Sequence, residues 1–333
     1  MNSLSVVIIG RNEESHIAKC IRSVLKSTAG YRECDIIYVD SASSDNTVHI
    51  AKQHPIRIIQ LRPDWPLSSS AGRYLGFIHT SGEYVFFIDG DTIVYKKWLA
   101  YAVAFLKSHP GVGGVAGIVN ELFIDSNGRI QGMKKNRYNQ KKKSEDARVF
   151  GGIALYRRKV LEEVRPFNPY VVATPELELS LRIRKAGYRL VRIYEPMAIT
   201  YAPQRETAGE IIRRARANLY SMGNTLHYCR RNGLFWRYVK ERMGFVISYA
   251  AVLLASAGIV VISLVTKNST LFCAWGAFII LLVLMHAIKK RSIRKVFISL
   301  FKRTVILYKT VESYVKTSIK NVDEFPKDVI IIQ

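Results

Sequence analysis

Two aspartates flank a glycine at Asp89-Gly90-Asp91, directly after the apolar run 84–88 (YVFFI). Carboxylates at that spacing, with no Cβ between them, can reach one hard cation. Mg²⁺ and Mn²⁺ prefer oxygen ligands and keep open positions for substrate phosphates. A cation held there would neutralise charge on a departing nucleotide diphosphate. The same triplet is also an ordinary turn sequence. Two further polar groups follow apolar runs in the same way: Arg11-Asn12-Glu13 after 4–9 (LSVVII) and Asp40 after 35–39 (DIIYV). Asn12, Glu13 and Asp40 can hydrogen-bond a nucleoside base or ribose, or they can serve as turn and cap residues, as Asp45 and Thr47 can. Arg73, ahead of the Asp89 strand, can face a diphosphate or make a surface salt bridge.

The elements that must position these groups follow from periodicity. The runs 4–9, 35–39, 56–61 and 84–88 are short, apolar and β-branched or aromatic, and predict buried strands. Helices are expected between them, from about 15 to 27, from 47 to 53 and from 68 to 78; Ile17, Cys20, Ile21, Val24 and Leu25 share one face of the first. This alternation predicts an α/β domain with a mostly parallel, Rossmann-like sheet. Ligands bind outside the carboxyl ends of such strands, so Arg11-Asn12-Glu13, Asp40 and Asp89-Gly90-Asp91 should gather on one edge. Short strands and a basic loop (Lys134, Lys135, Arg137, Lys141, Lys142, Lys143) fill 112–160. A helix carrying Leu177, Leu179, Leu181 and Ile183 follows, with Gly187 as its C-cap. A strand at 188–194 and a basic helix at 210–229 complete the series.

The chain of 333 residues carries 50 Lys+Arg against 26 Asp+Glu, a net charge of +24. That balance points to an anionic partner: phosphate-rich substrates, an anionic membrane surface or nucleic acid. No nucleic-acid motif accompanies it, which excludes that partner. The four cysteines are scattered, without a CxxC pair or a Cys/His cluster, so neither a zinc site nor a disulfide framework is expected. The N-terminus does not read as a signal peptide.

Composition shifts after residue 230. Runs at about 245–265 and 271–288 are each long enough to cross a bilayer. The first carries no charge, and the second carries His286 alone, at its end. Basic residues flank both outer sides (Arg230, Arg231, Arg237, Lys240 and Arg242 before; Lys289, Lys290, Arg291, Arg294 and Lys295 after), while the turn between holds only Lys267. The positive-inside rule then puts both termini and the first domain in the cytoplasm, in a multi-pass protein of the inner or plasma membrane. Beyond 291 apolar and basic residues alternate, which suits an amphipathic tail on the leaflet or a helix docked on the first domain. The expected division is 1–229, including an interfacial helix at 206–229, and a membrane region at 230–333.

The ordered motifs SVVIIGRNEESHIAKCIRSVL, YVDSASSDNT, SSSAGRYLGF, GEYVFFIDGDT, FGGIALYRRKVLEEVRPFNP and PELELSLRIRKAGYRL resemble family 2 glycosyltransferases of the GT-A fold over roughly residues 4–205. The resemblance implies that Asn12, Glu13 and Asp40, with Arg11 beside them, hold the nucleoside. Arg73 matches the basic residue of the family's A-x-x-R-N-x-G motif, although Tyr74 stands where Asn is usual. Asp89 and Asp91 match the metal pair, with Asp91 the direct ligand to Mn²⁺ or Mg²⁺. Glu176 matches the catalytic base, with Glu178 as its rival, and Pro175 replaces the usual acidic neighbour. Both glutamates can also be acids that simply open a helix. Gly151-Gly152 would let donor and acceptor approach the backbone.

The segment TYAPQRETAGEIIRRARANLYSMG is similar to that of bacterial exopolysaccharide and lipid-linked sugar transferases. There Arg205, Arg213, Arg214 and Arg216 would meet a lipid phosphate or anionic head groups. The implied activity is inverting transfer from a nucleotide-sugar, a UDP-sugar in first expectation, to a polyprenyl-diphosphate saccharide in cell-envelope polysaccharide synthesis. The alternatives are synthesis of a phosphoprenyl sugar and a non-catalytic membrane scaffold, the latter motivated by Pro175.

Overall fold

The computed structural model describes residues 3–125, 128–203 and 207–333. The chain forms two compact units, Met1–Gln204 with Ile319–Gln333, and Arg205–Ser318.

In the first unit the elements run β1 (Leu4–Gly10), α1 (Ile17–Thr28), β2 (Cys34–Asp40), α2 (Thr47–Ala51), β3 (Arg57–Gln60), α3 (Ser69–Ile78), β4 (Tyr84–Asp89), β5 (Ile93–Val94) and α4 (Trp98–Ser108). They continue with β6 (Val112–Ile124), β7 (Ile130–Lys134), β8 (Ser144–Asp146), β9 (Ala154–Arg157), α5 (Arg158–Val164), α6 (Pro175–Lys185) and β10 (Arg189–Pro203). β11 (Ile330–Ile331) comes from the end of the chain. The sheet order is β11-β3-β2-β1-β4-β9-β6-β10-β5, with β7 on β6 and β8 on β10. It is parallel across β3-β2-β1-β4 and mixed beyond, because β9 runs antiparallel to both β4 and β6.

Register is what builds the site. Gly10 pairs with Asp40 and Ile9 with Asp89, so the turns after β1, β2 and β4 leave the sheet at one level. Phe87 pairs with Ala154 in the antiparallel β4–β9 ladder, which brings residues 151–153 back beside Asp89. The apolar runs read as strands are sealed: Val6, Val7, Ile8, Ile37, Tyr38, Phe86 and Phe87 show no exposed surface. Two glycines let α3 approach the sheet. A Cβ on Gly76 would collide with Val7, and one on Gly72 would stand 3.2 Å from Ile9. That close seat carries Arg73, one residue after Gly72, to the level of the strand ends.

The second unit comprises α7 (Ala208–Arg216), α8 (Met222–Arg231), α9 (Phe235–Tyr238), a π-helical turn (Val239–Met243), α10 (Gly244–Val265), α11 (Ser269–Lys290) and α12 (Ile293–Lys316). The segment read as one basic helix is two, because Asn218 adopts φ 56° and breaks it after α7. α12 packs on α7 and α8 within this unit. Gly223 touches the Thr310 carbonyl, and His227 stacks on Tyr314 at 4.2 Å. Phe235–Val265 and Ser269–Lys289 are long and apolar enough to cross a membrane. Their side chains stay largely exposed, Leu254 at 74% and Ile288 at 77%. Trp275 Nε1 donates to Ser256 Oγ at 3.1 Å and ties α10 to α11.

Candidate active site

The turns after β1 and β2 are zipped together. Asn12, at φ 57°, donates its amide to Ser43 Oγ (2.9 Å) and accepts from the Ser44 amide through Oδ1 (2.9 Å). The Glu13 amide donates to Thr47 Oγ1 (2.7 Å), and Glu14 Oε2 accepts from the Asn46 amide (3.1 Å). Asp40 locks this pair from below. It accepts from Tyr38 Oη (3.0 Å), Ser43 N (2.8 Å), Ser43 Oγ (2.5 Å) and Gln60 Nε2 (2.8 Å), and none of it is exposed. A carboxylate has about four lone-pair sites, and all of Asp40's have partners. In this geometry its carboxylate organises the 41–47 turn, beside the position where the sequence places the nucleoside. Arg11 is exposed at the same edge.

The centre of the site is Arg73, only 2% exposed. Its Nη2 donates to Asp89 Oδ1 at 2.7 Å and its Nη1 to Glu176 Oε1 at 2.9 Å. The guanidinium also stacks on Phe167, 5.1 Å from the ring centre. Burial alone would depress the Arg73 pKa, but Asp89 and Glu176 more than offset it and raise it above the usual arginine range. The surface salt bridge considered for this residue is excluded by its burial. A Cβ on Gly152 would strike both Arg73 Nη2 and Asp89 Oδ2, so only glycine allows the backbone to lie against the pair. Gly151 stands against Tyr138, whose hydroxyl would be 2.7 Å from a Cβ there. Arg192 stacks on the Tyr138 ring at 4.1 Å.

Glu176 and Glu178 lie two residues apart on α6, so they face different sides of the helix. Glu178 is 1% exposed and holds Arg182 Nε and Nη2, both at 2.7 Å. Arg182 in turn binds the Val164 carbonyl at 2.6 Å. Through Arg182, Glu178 thus anchors the end of α5. Glu176 keeps 22% of its side chain exposed beside Arg73. Pro175 occupies the first position of α6, where its missing N–H costs nothing and its fixed φ starts the helix.

Negative charge accumulates at the end of β4. Burial, then the neighbouring Asp89, push the Asp91 carboxyl up to about 6. Burial, then Asp91, Asp89 and Asp45, push Glu13 up to about 8. Arg73 compensates Asp89, and the Asp91 and Glu13 carboxyls gathered beside it make a cation-attracting arrangement. No group of three metal-ligating side chains converges among the described residues. The chain thus offers Asp91 and Asp89, and the remaining ligands would be donor oxygens, the usual way Mg²⁺ is held. Asp89 shares its charge with Arg73, which leaves Asp91 the less committed of the two. Gly90 donates to the Ile9 carbonyl at 2.7 Å, and a Cβ there would crowd that oxygen and Glu13.

Arg205 lies outside the described residues. The partners of Phe167 and of the Ser43/Thr47 clasp were not legible in the sequence, since each meets its partner across tens of positions.

A mixed α/β sheet with its acidic turns gathered at one edge and helices on its faces is the GT-A glycosyltransferase arrangement. The mannosyltransferase PcManGT from Pyrobaculum calidifontis, solved in complex with GDP-Man and Mn²⁺, has a similar structure, with a TM-score of 0.60 at 16% identity. The match covers 95% of this chain and 88% of that one. Residues 5–165 match the family described as Glycosyl transferase family 2. The chain is 32% identical to glycosyltransferase AglE of Haloferax volcanii over 197 residues, covering 56% of this chain and 63% of that protein. It is 24% identical to the poly-beta-1,6-N-acetyl-D-glucosamine synthase of Staphylococcus epidermidis, covering 63% of this chain and 52% of that protein. It is 34% identical to the putative glycosyltransferase EpsE of Bacillus subtilis over 118 residues, covering 33% of this chain and 41% of that protein. The matches thus span less than two thirds of these relatives' own lengths.

Proposed function

We propose that the chain moves a sugar from a nucleotide diphosphate to a lipid-linked acceptor, a polyprenyl-diphosphate saccharide, with inversion at the anomeric carbon. The observation that carries this reading is the buried Arg73, which joins Glu176 to the Asp89-Gly90-Asp91 turn through ion pairs of 2.9 and 2.7 Å. One guanidinium thereby fixes the distance between a base and the charged edge where a donor diphosphate would lie. Arg73 holds Glu176 by Oε1 and leaves Oε2 to take the proton of an acceptor hydroxyl as that oxygen attacks. Arg73 also presents positive charge to the leaving diphosphate. Asn12, Glu13 and Arg11 line the neighbouring turn and would meet the nucleoside, while Gly151 and Gly152 keep the sugar's approach open. A divalent cation, Mn²⁺ or Mg²⁺, on Asp91 and Asp89 would supply further positive charge for the leaving group.

The exposed apolar surfaces of α10 and α11 support membrane residence, and their basic flanks support a cytoplasmic catalytic domain. Arg213, Arg214 and Arg216 on the solvated side of α7 suit an anionic lipid head. The full chain in detergent, screened by thermal shift with UDP, GDP and CDP plus Mn²⁺ or Mg²⁺, should be stabilised by one nucleotide only when metal is present. Stabilisation by none of them, together with unchanged transfer in Asp91→Ala and Glu176→Gln, would overturn the reading.

A further inference from the structure

The last residues leave the helical unit at 318 and rejoin the catalytic unit. Phe325 is 2% exposed there, boxed edge-on by Trp65 (6.0 Å), Tyr74 (5.8 Å) and Tyr170 (5.4 Å). β11 then adds to β3, pairing Ile330 with Gln60 and Ile331 with Ile59. Gln333 Nε2 closes the end on the carbonyls of His54 (2.9 Å) and Ile56 (3.1 Å). Arg165–Asp323 (3.5 Å) and Arg62–Asp328 (2.9 Å) pin the flanks.

The two walls of the Phe325 box are the two elements that build the site. Tyr74 follows Arg73 on α3, and Trp65 lies on the approach to that helix. Tyr170 lies in the 165–174 segment, which supplies Phe167 beneath the Arg73 guanidinium and ends at Glu176. The walls also meet directly, through Ser68 Oγ on the Pro169 carbonyl (3.1 Å), the Arg73 guanidinium over Phe167 (5.1 Å) and the Arg73–Glu176 pair itself. The segment also carries strain, since Thr174 sits at φ 54° just before α6 and such a residue persists only when its surroundings hold it.

We propose that residues 319–333 are a strap whose Phe325 is a positioning residue: it clamps α3 to the 165–174 segment and thereby sets the Arg73–Glu176 contact. The proposal builds on the reading of Glu176 as the base, but its physical content, the order of 165–174, is measurable without turnover. In the full chain, Phe325→Ala should speed hydrogen exchange across 165–174 at least tenfold. It should lower kcat at least tenfold and leave the nucleotide-plus-Mn²⁺ thermal shift in place, because the rings that box Phe325 (Trp65, Tyr74 and Tyr170) are not among the residues proposed to hold nucleotide or metal. Phe325→Leu should restore most of both losses, and it carries the same test should Phe325→Ala fail to fold. A chain ending at Ser318 should match Phe325→Ala and recover when a peptide of residues 319–333 is added. Unchanged exchange in 165–174, or exchange that rises equally throughout the catalytic unit, would overturn the strap. Absence of transfer by the wild-type chain would overturn the functional reading and leave the exchange result to judge the strap alone.

Discussion

Asp40 and Asp91 follow parallel strands on either side of β1, and both come from an acid placed just past a buried apolar run. Their surroundings are opposite. Asp40 is enclosed by four donated hydrogen bonds from three side chains and one amide, so its charge is spent inside the fold. Asp91 accepts from the Thr92 hydroxyl at 3.2 Å and stands near Asp89 and Glu13. An acid whose acceptor sites are filled internally holds a loop in shape. One left among like charges is held ready for something positive from outside. Glu178 and Glu176 repeat the contrast on α6, one clamped to Arg182 and the other presented beside Arg73.

The contrast sets the order of the expected effects. Glu176→Gln should lower kcat by about 10²–10⁴-fold while nucleotide binding, read by thermal shift, survives. Asp91→Ala should remove the metal-dependent part of that thermal shift; an unchanged shift would erase the distinction between Asp91 and Asp40. Glu178→Ala should act on stability instead. Stripping a buried arginine of its partner costs about 3–5 kcal/mol, seen as a lower denaturation midpoint with little change in kcat per folded molecule. Asp40→Ala should cost about 1–3 kcal/mol for each donor left buried without an acceptor, with donor affinity changing only as far as the 41–47 turn loosens.

The smallest effect concerns pH. Glu13's folded pKa, raised to about 8, lies above its unfolded value, so the native chain holds a proton that the unfolded chain releases. Stability attributable to Glu13 and Asp91 must then fall as pH rises, from about 4 to 6 for Asp91 and from about 4.5 to 8 for Glu13. Without divalent cations the melting temperature should therefore decline between pH 6 and 8. Saturating Mn²⁺ should flatten the decline if the cluster binds it, and a slope indifferent to Mn²⁺ would argue that Asp91 and Glu13 never meet a cation.

Much of the α/β frame was legible because it rests on local patterns. The runs 4–9, 35–39 and 84–88 became β1, β2 and β4, and a polar residue past a buried parallel strand can only emerge at one edge of the sheet. The two long apolar helices were legible for a similar reason, since length and the absence of charge are properties of the segment itself. The order of strands beyond β4 was not legible. β9 inserts antiparallel between β4 and β6, and nothing local in ALYR states its partners.

The sequence by itself determined which groups stand at the strand ends: Asn12, Glu13, Asp40, Asp89 and Asp91, each placed by the strand before it. Tertiary structure alone decided their fates. Asp40 is enclosed because Gln60 and Ser43 fold onto it. Glu176 became available because its partner lies 103 positions away on α3, while Glu178 found Arg182 one helical turn along. The return of Phe325 to Tyr74 and Tyr170 belongs to the same class. Strand propensity and helix periodicity act over a few residues. Whether a charge is buried, paired or left facing the site depends on which distant surface closes over it.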